Sequence, residues 1–599
     1  MNDNLILKHR PKTLWRLPLW VAFLGFTIAV LLYPVNFRLE TFIVQSPDIF
    51  PNLPLFGTIF FLWTVSLVVL VITPAKTRAL WERLSLVIIA DLVIRGFWSI
   101  IAPIQHQSLL HAQQTKSWLD TGQIIHQQGY STYPGLSLTT ASIYQITGLE
   151  LFPSITIQTV FIDLVIAIGS FLFLLKILKS TRLASLACLL VIAGSPWLWS
   201  MYFPWTMGMA FMMLFIMTLF HQPSWGNRPR SLVAFLLFVA ITITHVFGAI
   251  LTLCITCIVL GFGVLRRNQA ESWVSITAVL LFSVILIAWH LYFFGSEAFT
   301  SMTEQAYLQI TAMPFWQLLS NLLSMGQSQA EGGSTPLWIS MPRLVWEVLL
   351  YAAGGLLWLG SLRRFRRLNV TESKLTAVAF GLLLTTGALF VFVKGASDLR
   401  RPLLYGSFLL IPFLFLSLQK FKPVLKRVSL AGLAFVLVFL SLPSFLGNNL
   451  HMPSWTFYDT EYASGEWMQY YAGRDRELHV FSTVPVYWTI KFYIPDTYRD
   501  PSLPQVAYHT EINIMDFENW GADTAWQILF ELPERYYSSS QKGNYSVFVN
   551  SPKTALYQSP IYNIAPDDIR WIAIVNRLAE GSNNIYNNGP IRIFLPFKG

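Results

Sequence analysis

Charge is what this sequence has least of. Asp, Glu, Lys and Arg together make up only 12% of its 599 residues, while 54% are hydrophobic. A soluble domain carries about twice that charged fraction, so the balance excludes an ordinary water-soluble globule. Cysteine is scarcer still: three residues cannot build a disulfide framework. Two of them, Cys254 and Cys257, form a CxxC inside the apolar run LTLCITCIVL, where core packing is the expected role. Internal repeats and low-complexity tracts are absent. The first apolar segment follows MNDNLILKHRPKTLWR without a small-residue cleavage site, so no cleavable signal peptide is expected. Aromatics, by contrast, reach 15% with 22 Trp, as suits a polytopic membrane protein with many interfacial anchors.

A hydrocarbon core needs about twenty apolar residues per helix. Runs of that kind lie near 16–33, 54–73, 84–103, 153–175, 183–199, 205–220, 231–245, 246–264, 273–294, 343–362, 374–394, 403–418 and 428–447. The reading is a mainly α transmembrane bundle of about 13 spans, the seventh and eighth abutting at His245.

The net charge of +10 comes from short basic clusters between these spans, a pattern of topology and not of nucleic-acid binding. Lys8, Arg10, Lys12 and Arg16 precede the first span; Lys76, Arg78 and Arg83 follow the second. Lys176, Lys179 and Arg182 follow the fourth, Arg228 and Arg230 the sixth, and Arg266 and Arg267 the eighth. RRFRR at 363–367 and the cluster Lys420, Lys422, Lys426, Arg427 complete the series. Every even loop is basic, which puts the N-terminus in the cytoplasm of a multi-pass cell-membrane protein. The odd loops 34–53, 104–152, 295–342 and 395–402 then face outward, with the tail from about 448.

Composition changes at that tail. About half of the acidic residues fall there. ELHVFS, YSVFVN and IRIFLP read as strands, GEWMQYYAG as a short amphipathic helix and YNNGP at 586–590 as a turn. Two domains are expected: 1–447 in the membrane with the external loop 104–152, and 448–599 as an extracytoplasmic, soluble α/β domain.

The outer loop carries the most informative pattern. His111 opens a helix running through Trp118 to Ile125, DTGQI follows at 120–124, YPGLSL at 133–138 and TGL at 147–149. Later come SPWLWSMYFP at 195–204 and THVFGA at 244–249. This arrangement resembles the GT-C superfamily of membrane glycosyltransferases, with the likeness spanning roughly 84–418. The resemblance implies a sugar donor carried on polyprenyl phosphate, an acceptor that is a glycan, a lipid or a protein, and surrounding membrane lipids. It also implies a substrate cavity that includes Tyr133 and Asp398.

One departure matters. Where the family has an acid before the His, this sequence has Gln107, beside Gln105 and His106. The family's acid serves as general base or holds a metal, and Gln cannot accept a proton at neutral pH. His106 or His111 takes that role, or an acid arrives from elsewhere, or the chain does not catalyse. His chemistry permits the first, with an unperturbed pKa of about 6.5. A divalent metal is left open. Asp120 reads as a solvated helix residue.

Acids inside spans cost several kcal/mol unless paired. Asp91 and Arg95, at i and i+4, read as a structural ion pair, while Asp163 has no local partner and points to a cavity or another helix. The outer loop KGASDLRRP carries Arg400 and Arg401 against the topology rule. Arg binds phosphate through charge-assisted bonds, so the pair is the candidate site for the donor's phosphate; headgroup anchoring or pairing with Asp398 is the alternative. The long outer loop 295–342, with Glu297, Glu304, Glu331 and AEGGSTP, has the length of a substrate-covering loop. Two rivals to the transferase stay open: a non-catalytic relative binding lipid-linked glycans, and a transporter, although no pair of matching interrupted helices is visible.

Overall fold

A computed structural model describes residues 16–35, 53–73, 79–96, 108–122, 133–194, 202–220, 227–266, 274–292, 337–392 and 400–450, and in the last quarter 463, 465–467 and five strands. The helices are α1 (Arg16–Val35), α2 (Leu53–Ile72), α3 (Ala79–Asp91), α4 (Ser108–Thr121), α5 (Gly135–Thr147), α6 (Leu151–Leu178), α7 (Thr181–Gly194) and α8 (Pro204–Phe220). They continue with α9 (Asn227–Thr244), α10 (Val246–Leu265), α11 (Ile276–Tyr292), α12 (Leu337–Arg363), α13 (Val370–Phe392), α14 (Arg400–Gln419) and α15 (Pro423–Leu450).

Among the described residues, five stretches, Pro54–Ile72, Leu151–Leu178, Val246–Leu265, Met341–Arg363 and Pro423–Phe445, are long and apolar enough to cross a membrane, and shorter apolar helices accompany them. Their outward faces agree. Along α1, Leu17, Val21, Leu24, Ile28 and Leu32 form an exposed stripe at helical spacing, while Phe23 and Val30 are buried. The same holds for Ile276, Leu280, Val284, Ile287 and Leu291 on α11. Apolar faces of this extent would be costly in water and are at home in lipid. Inward, Phe23 stacks on Trp63, whose indole donates to Thr27 Oγ1 at 2.9 Å, and Phe60 packs on Phe445 of α15.

Three expectations need correction. The third apolar run begins earlier, at Ala79, and becomes a π-helix over Leu92–Gly96. The helix expected from His111 to Ile125 starts at Ser108 and stops at Thr121, because Gly122 takes a left-handed φ of 66° that ends the turn at no steric cost. Cys257 is exposed on α10 and Cys254 half-buried, so the CxxC is not a core pair; only Cys188 is a buried cysteine.

The basic residues gather on helix C-termini, where free carbonyls and the negative end of the helix dipole favour cations. Arg16 and Arg83 both donate to the carbonyls of Leu70 and Thr73 at the end of α2, and Arg16 also pairs with Glu82. Lys374 donates to Leu219 O at the end of α8 (3.0 Å). Arg266, closing α10, donates to Leu368 O at 2.6 Å.

In the last quarter five strands make one mixed sheet in the order β2-β1-β3-β5-β4. β1 (Leu478–Ser482) runs parallel to β2 (Val506–His509) and β3 (Tyr545–Asn550). β5 (Arg592–Pro596) is antiparallel to β3 and to β4 (Ser582–Asn587). Tyr586 and Asn587 of the turn expected at 586–590 belong instead to β4, where Asn587 pairs with Arg592, and the rest of that stretch lies outside the described residues. Of GEWMQYYAG, residues 465–467 are helical and the rest lies outside the described residues.

Candidate functional site

One buried threonine from each of α4 and α5 is turned inward onto a shared network. The Tyr202 hydroxyl, just before α8, lies 3.0 Å from Thr115 Oγ1 of α4 and 2.7 Å from Thr140 Oγ1 of α5. Thr140 also donates to the Gln158 side-chain oxygen on α6, and Gln158 Nε2 donates to Leu136 O at 3.2 Å. Tyr202 is fully buried, which pushes its phenol up to about 12 and keeps it a neutral hydrogen-bonding group. Four separate chain segments are thereby tied together.

His111 lies in the same layer, 3% exposed, with its ring edge-on to Phe203 at 5.6 Å between centroids. Burial pushes its pKa down to about 3, so the imidazole is neutral at physiological pH. That is poor tuning for a general base, which works best with a pKa near ambient pH.

Tyr133 opens the YPG turn. Its hydroxyl is 3.2 Å from His290 Nε2 at the end of α11, and His290 Nδ1 is 2.7 Å from Leu286 O. Gly135 lies directly against Thr244, the last residue of α9. The chain breaks there at His245, extended at φ −158°, whose Nδ1 accepts from Gly248 N–H at 3.1 Å and caps α10. The expected division at His245 is thus a capped break between two helices.

Of the residues singled out in the sequence, His111 and Tyr133 belong to this layer. His106, Gln107, Asp398, Glu297, Glu304 and Glu331 lie outside the described residues. Arg400 and Arg401 are the first two residues of α14. Asp120 is exposed and pairs with Lys116 at 2.9 Å, as a solvated residue should. Asp91 and Arg95 form the expected ion pair, fully buried, across the α-to-π junction. Asp163, on another helix, is also buried, and its charge acts on Arg95.

Sequence reasoning passed over Tyr202, Gln158 and His290. Tyr202 stands inside the motif SPWLWSMYFP but was not separable from its aromatic neighbours; His290, alone in AWHLYFF, has no spacing partner at all. Among the described residues no group of three His, Cys, Asp or Glu gathers as a metal would require. His111, the described member of the loop's donor set, is packed shut, so the described residues do not fit a metal centre.

Lipid-facing helices around a buried polar layer define a polytopic, mainly helical membrane protein. No protein-family model matches the chain, and no curated protein matches it. Among solved structures it is similar to ArnT from Cupriavidus metallidurans bound to undecaprenyl phosphate, at 11% identity and a TM-score of 0.47, covering 87% of this chain and 98% of that one. A TM-score below 0.5 leaves the present fold to be described from its own helices and sheet.

Proposed function

We propose that this chain is a GT-C-like membrane glycosyltransferase that moves a sugar from a polyprenyl-phosphate carrier to a glycan, lipid or protein acceptor. The observation that carries the reading is the meeting of motif pieces far apart in sequence. Gly135 packs directly on Thr244 beside His245, Tyr202 bonds Thr140 on the helix that Gly135 opens, and Phe203 packs on His111. All of them belong to odd loops in the charge-based topology, whereas the cations that cap carbonyls belong to even ones. In this reading the membrane unit has about thirteen crossings, the N-terminus is cytoplasmic, and the polar layer faces outward. Residues 448–599, with the five-stranded sheet, form an extracytoplasmic α/β domain.

The reaction needs three things. A base removes the acceptor's hydroxyl proton, the freed oxygen attacks the anomeric carbon, and the bond to the lipid phosphate breaks with its electron pair on the phosphate. Arg400 and Arg401 neutralise that leaving group. They open α14, where free N–H groups and the positive dipole end also favour an anion. Two cations in that first turn oppose the dipole by about 0.3–1 kcal/mol each unless an anion compensates them. In the first loop His106 is the candidate base in preference to the neutral, enclosed His111. Tyr133 and Asp398 belong to the substrate cavity.

A second reading has its own support. Gln107 in the acid's place and the enclosed His111 suit a non-catalytic subunit that binds lipid-linked glycans. Turnover in proteoliposomes with a panel of polyprenyl-phosphate sugars separates the two. Release of polyprenyl phosphate supports the transferase, and tight binding of every donor without release would establish the subunit instead.

A further inference from the structure

The hydrogen bonds around His290 select its tautomer. Its Nδ1 is 2.7 Å from the Leu286 carbonyl oxygen, which can only accept, so Nδ1 carries a hydrogen. In the neutral ring Nε2 is then the lone-pair nitrogen, and the atom 3.2 Å from it is the Tyr133 hydroxyl. The phenol therefore donates to the imidazole. A hydroxyl donating to a base that is itself oriented by a third group is the arrangement that activates an oxygen for proton transfer.

The same turn is held from the other side. Gly135 is wedged against Thr244, which fixes the backbone two residues beyond Tyr133. His290 is half-buried, in contrast with the enclosed His111, and His245 has its Nδ1 committed to Gly248 as a helix cap. Among the histidines whose side chains are described, His290 is the one built to receive a proton through a neighbouring hydroxyl.

Resting on the transferase reading, we infer that Tyr133 and His290 form the proton relay that deprotonates the acceptor. The acceptor O–H gives its proton to Tyr133 Oη as the phenolic proton passes to His290 Nε2. The electron pair left on the acceptor oxygen forms the new bond to the anomeric carbon, and the bond from that carbon to the phosphate oxygen breaks, its electrons leaving with the lipid phosphate. The resulting imidazolium is stabilised by its charge-assisted bond to Leu286 O and returns the proton through Tyr133 after product departs. The chain needs no acid at position 107 on this account. In this relay the Tyr133 hydroxyl, on a residue 8% exposed, is the group offered to the acceptor, and His290 acts through it.

The test uses the full-length chain in proteoliposomes with a polyprenyl-phosphate sugar that the wild type turns over. His290→Gln keeps an acceptor for the phenol but cannot take its proton, and Tyr133→Phe removes the relayed hydrogen. Each lowers kcat by about 100-fold, the scale of a lost general base, with donor KM within twofold. The double variant is no slower than the slower single one. Wild-type kcat in His290→Gln overturns the relay while leaving the transferase intact, and a loss confined to His106→Ala would return the base to His106. A kcat loss matched by a large rise in donor KM means a merely structural contact and also overturns the relay. A wild type inactive on every donor overturns the transferase reading and the relay with it.

Discussion

Gly135 and Thr244 are packed so closely that a methyl group on Gly135 would overlap Thr244 Oγ1 and lie 3.1 Å from the Thr244 Cα. The second contact is with backbone at the end of α9, so no rotamer change relieves it. Gly135→Ala should destabilise the protein by about 1–3 kcal/mol, the usual cost of overpacking. Adding Thr244→Ala removes the hydroxyl and should restore part of the loss, leaving the backbone contact. Melting in detergent measures both, and an unperturbed Gly135→Ala would mean that the two helices are free to separate.

Much of the membrane part is legible in sequence because lipid leaves few choices. An apolar run of about twenty residues must hide its backbone polar groups, and a helix does so. Long-range partners are a different matter. Asp91 and Arg95 announce themselves at i and i+4, but nothing in the sequence joins Arg95 to Asp163. His290 is a single polar residue in an apolar run, and its meaning comes only from the carbonyl behind it and the phenol before it. In the sheet, β1, β3 and β5 have β-branched and aromatic residues, whereas SNNIYN of β4 is poor in strand formers and is held by pairing across the hairpin with β5. The four-residue β2 has too short a pattern to be read alone.

Arg95 pairs with Asp91 and feels the charge of Asp163, and all three are fully buried. Removing one partner of a buried pair costs about 3–5 kcal/mol, because the remaining charge is left without compensation. Arg95→Met leaves two buried carboxylates without their cation and should be the most damaging single change. Asp163→Asn leaves the Asp91–Arg95 pair intact and should be the mildest of the three. Combining Arg95→Met with both Asp→Asn changes should recover stability relative to Arg95→Met alone. The reverse ranking in thermal melts would mean that Asp163, and not Arg95, organises the cluster.

His111 supplies a pH dependence whose sign is fixed by its burial. Its folded pKa, about 3, lies below the ordinary histidine value of about 6.5. Between those values the unfolded chain binds a proton that the folded protein does not, so stability rises with pH there. The contribution is complete above about pH 6.5 and is lost as pH falls toward 3, with a slope of at most about 1.4 kcal/mol per pH unit. His111→Gln should flatten this part of the melting profile between pH 4.5 and 6.5. Identical slopes in variant and wild type would show that His111 takes up its proton in the folded protein.

Sidedness is tested by the chain's last residue. With an odd number of crossings and a cytoplasmic N-terminus, a reporter fused after Gly599 reads the outer compartment. Alkaline phosphatase placed there should be active and a cytoplasm-dependent reporter silent. The opposite result turns the polar layer inward and removes a lipid-linked donor on the outer face from consideration.

Arg400 and Arg401 carry the donor prediction. If they hold the lipid phosphate, replacing either with Ala removes a charge-assisted hydrogen bond worth about 1.5–3 kcal/mol. Donor affinity should then fall about 10- to 150-fold, at tenfold for each 1.4 kcal/mol or so. Lys should restore only part of this, since an ammonium supplies the charge without the planar fork that grips two phosphate oxygens. The helix adds a control, because both residues sit in the first turn of α14, where a cation opposes the dipole. Without bound donor, each Ala variant should be as stable as the wild type or slightly more so. Added polyprenyl phosphate should raise the melting temperature of the wild type more than that of either variant. Acceptor affinity should stay level, as the attacking hydroxyl and the leaving phosphate lie on opposite sides of the sugar carbon. Equal weakening of donor and acceptor would mean a collapsed loop, and no weakening of either would leave the two arginines as headgroup anchors.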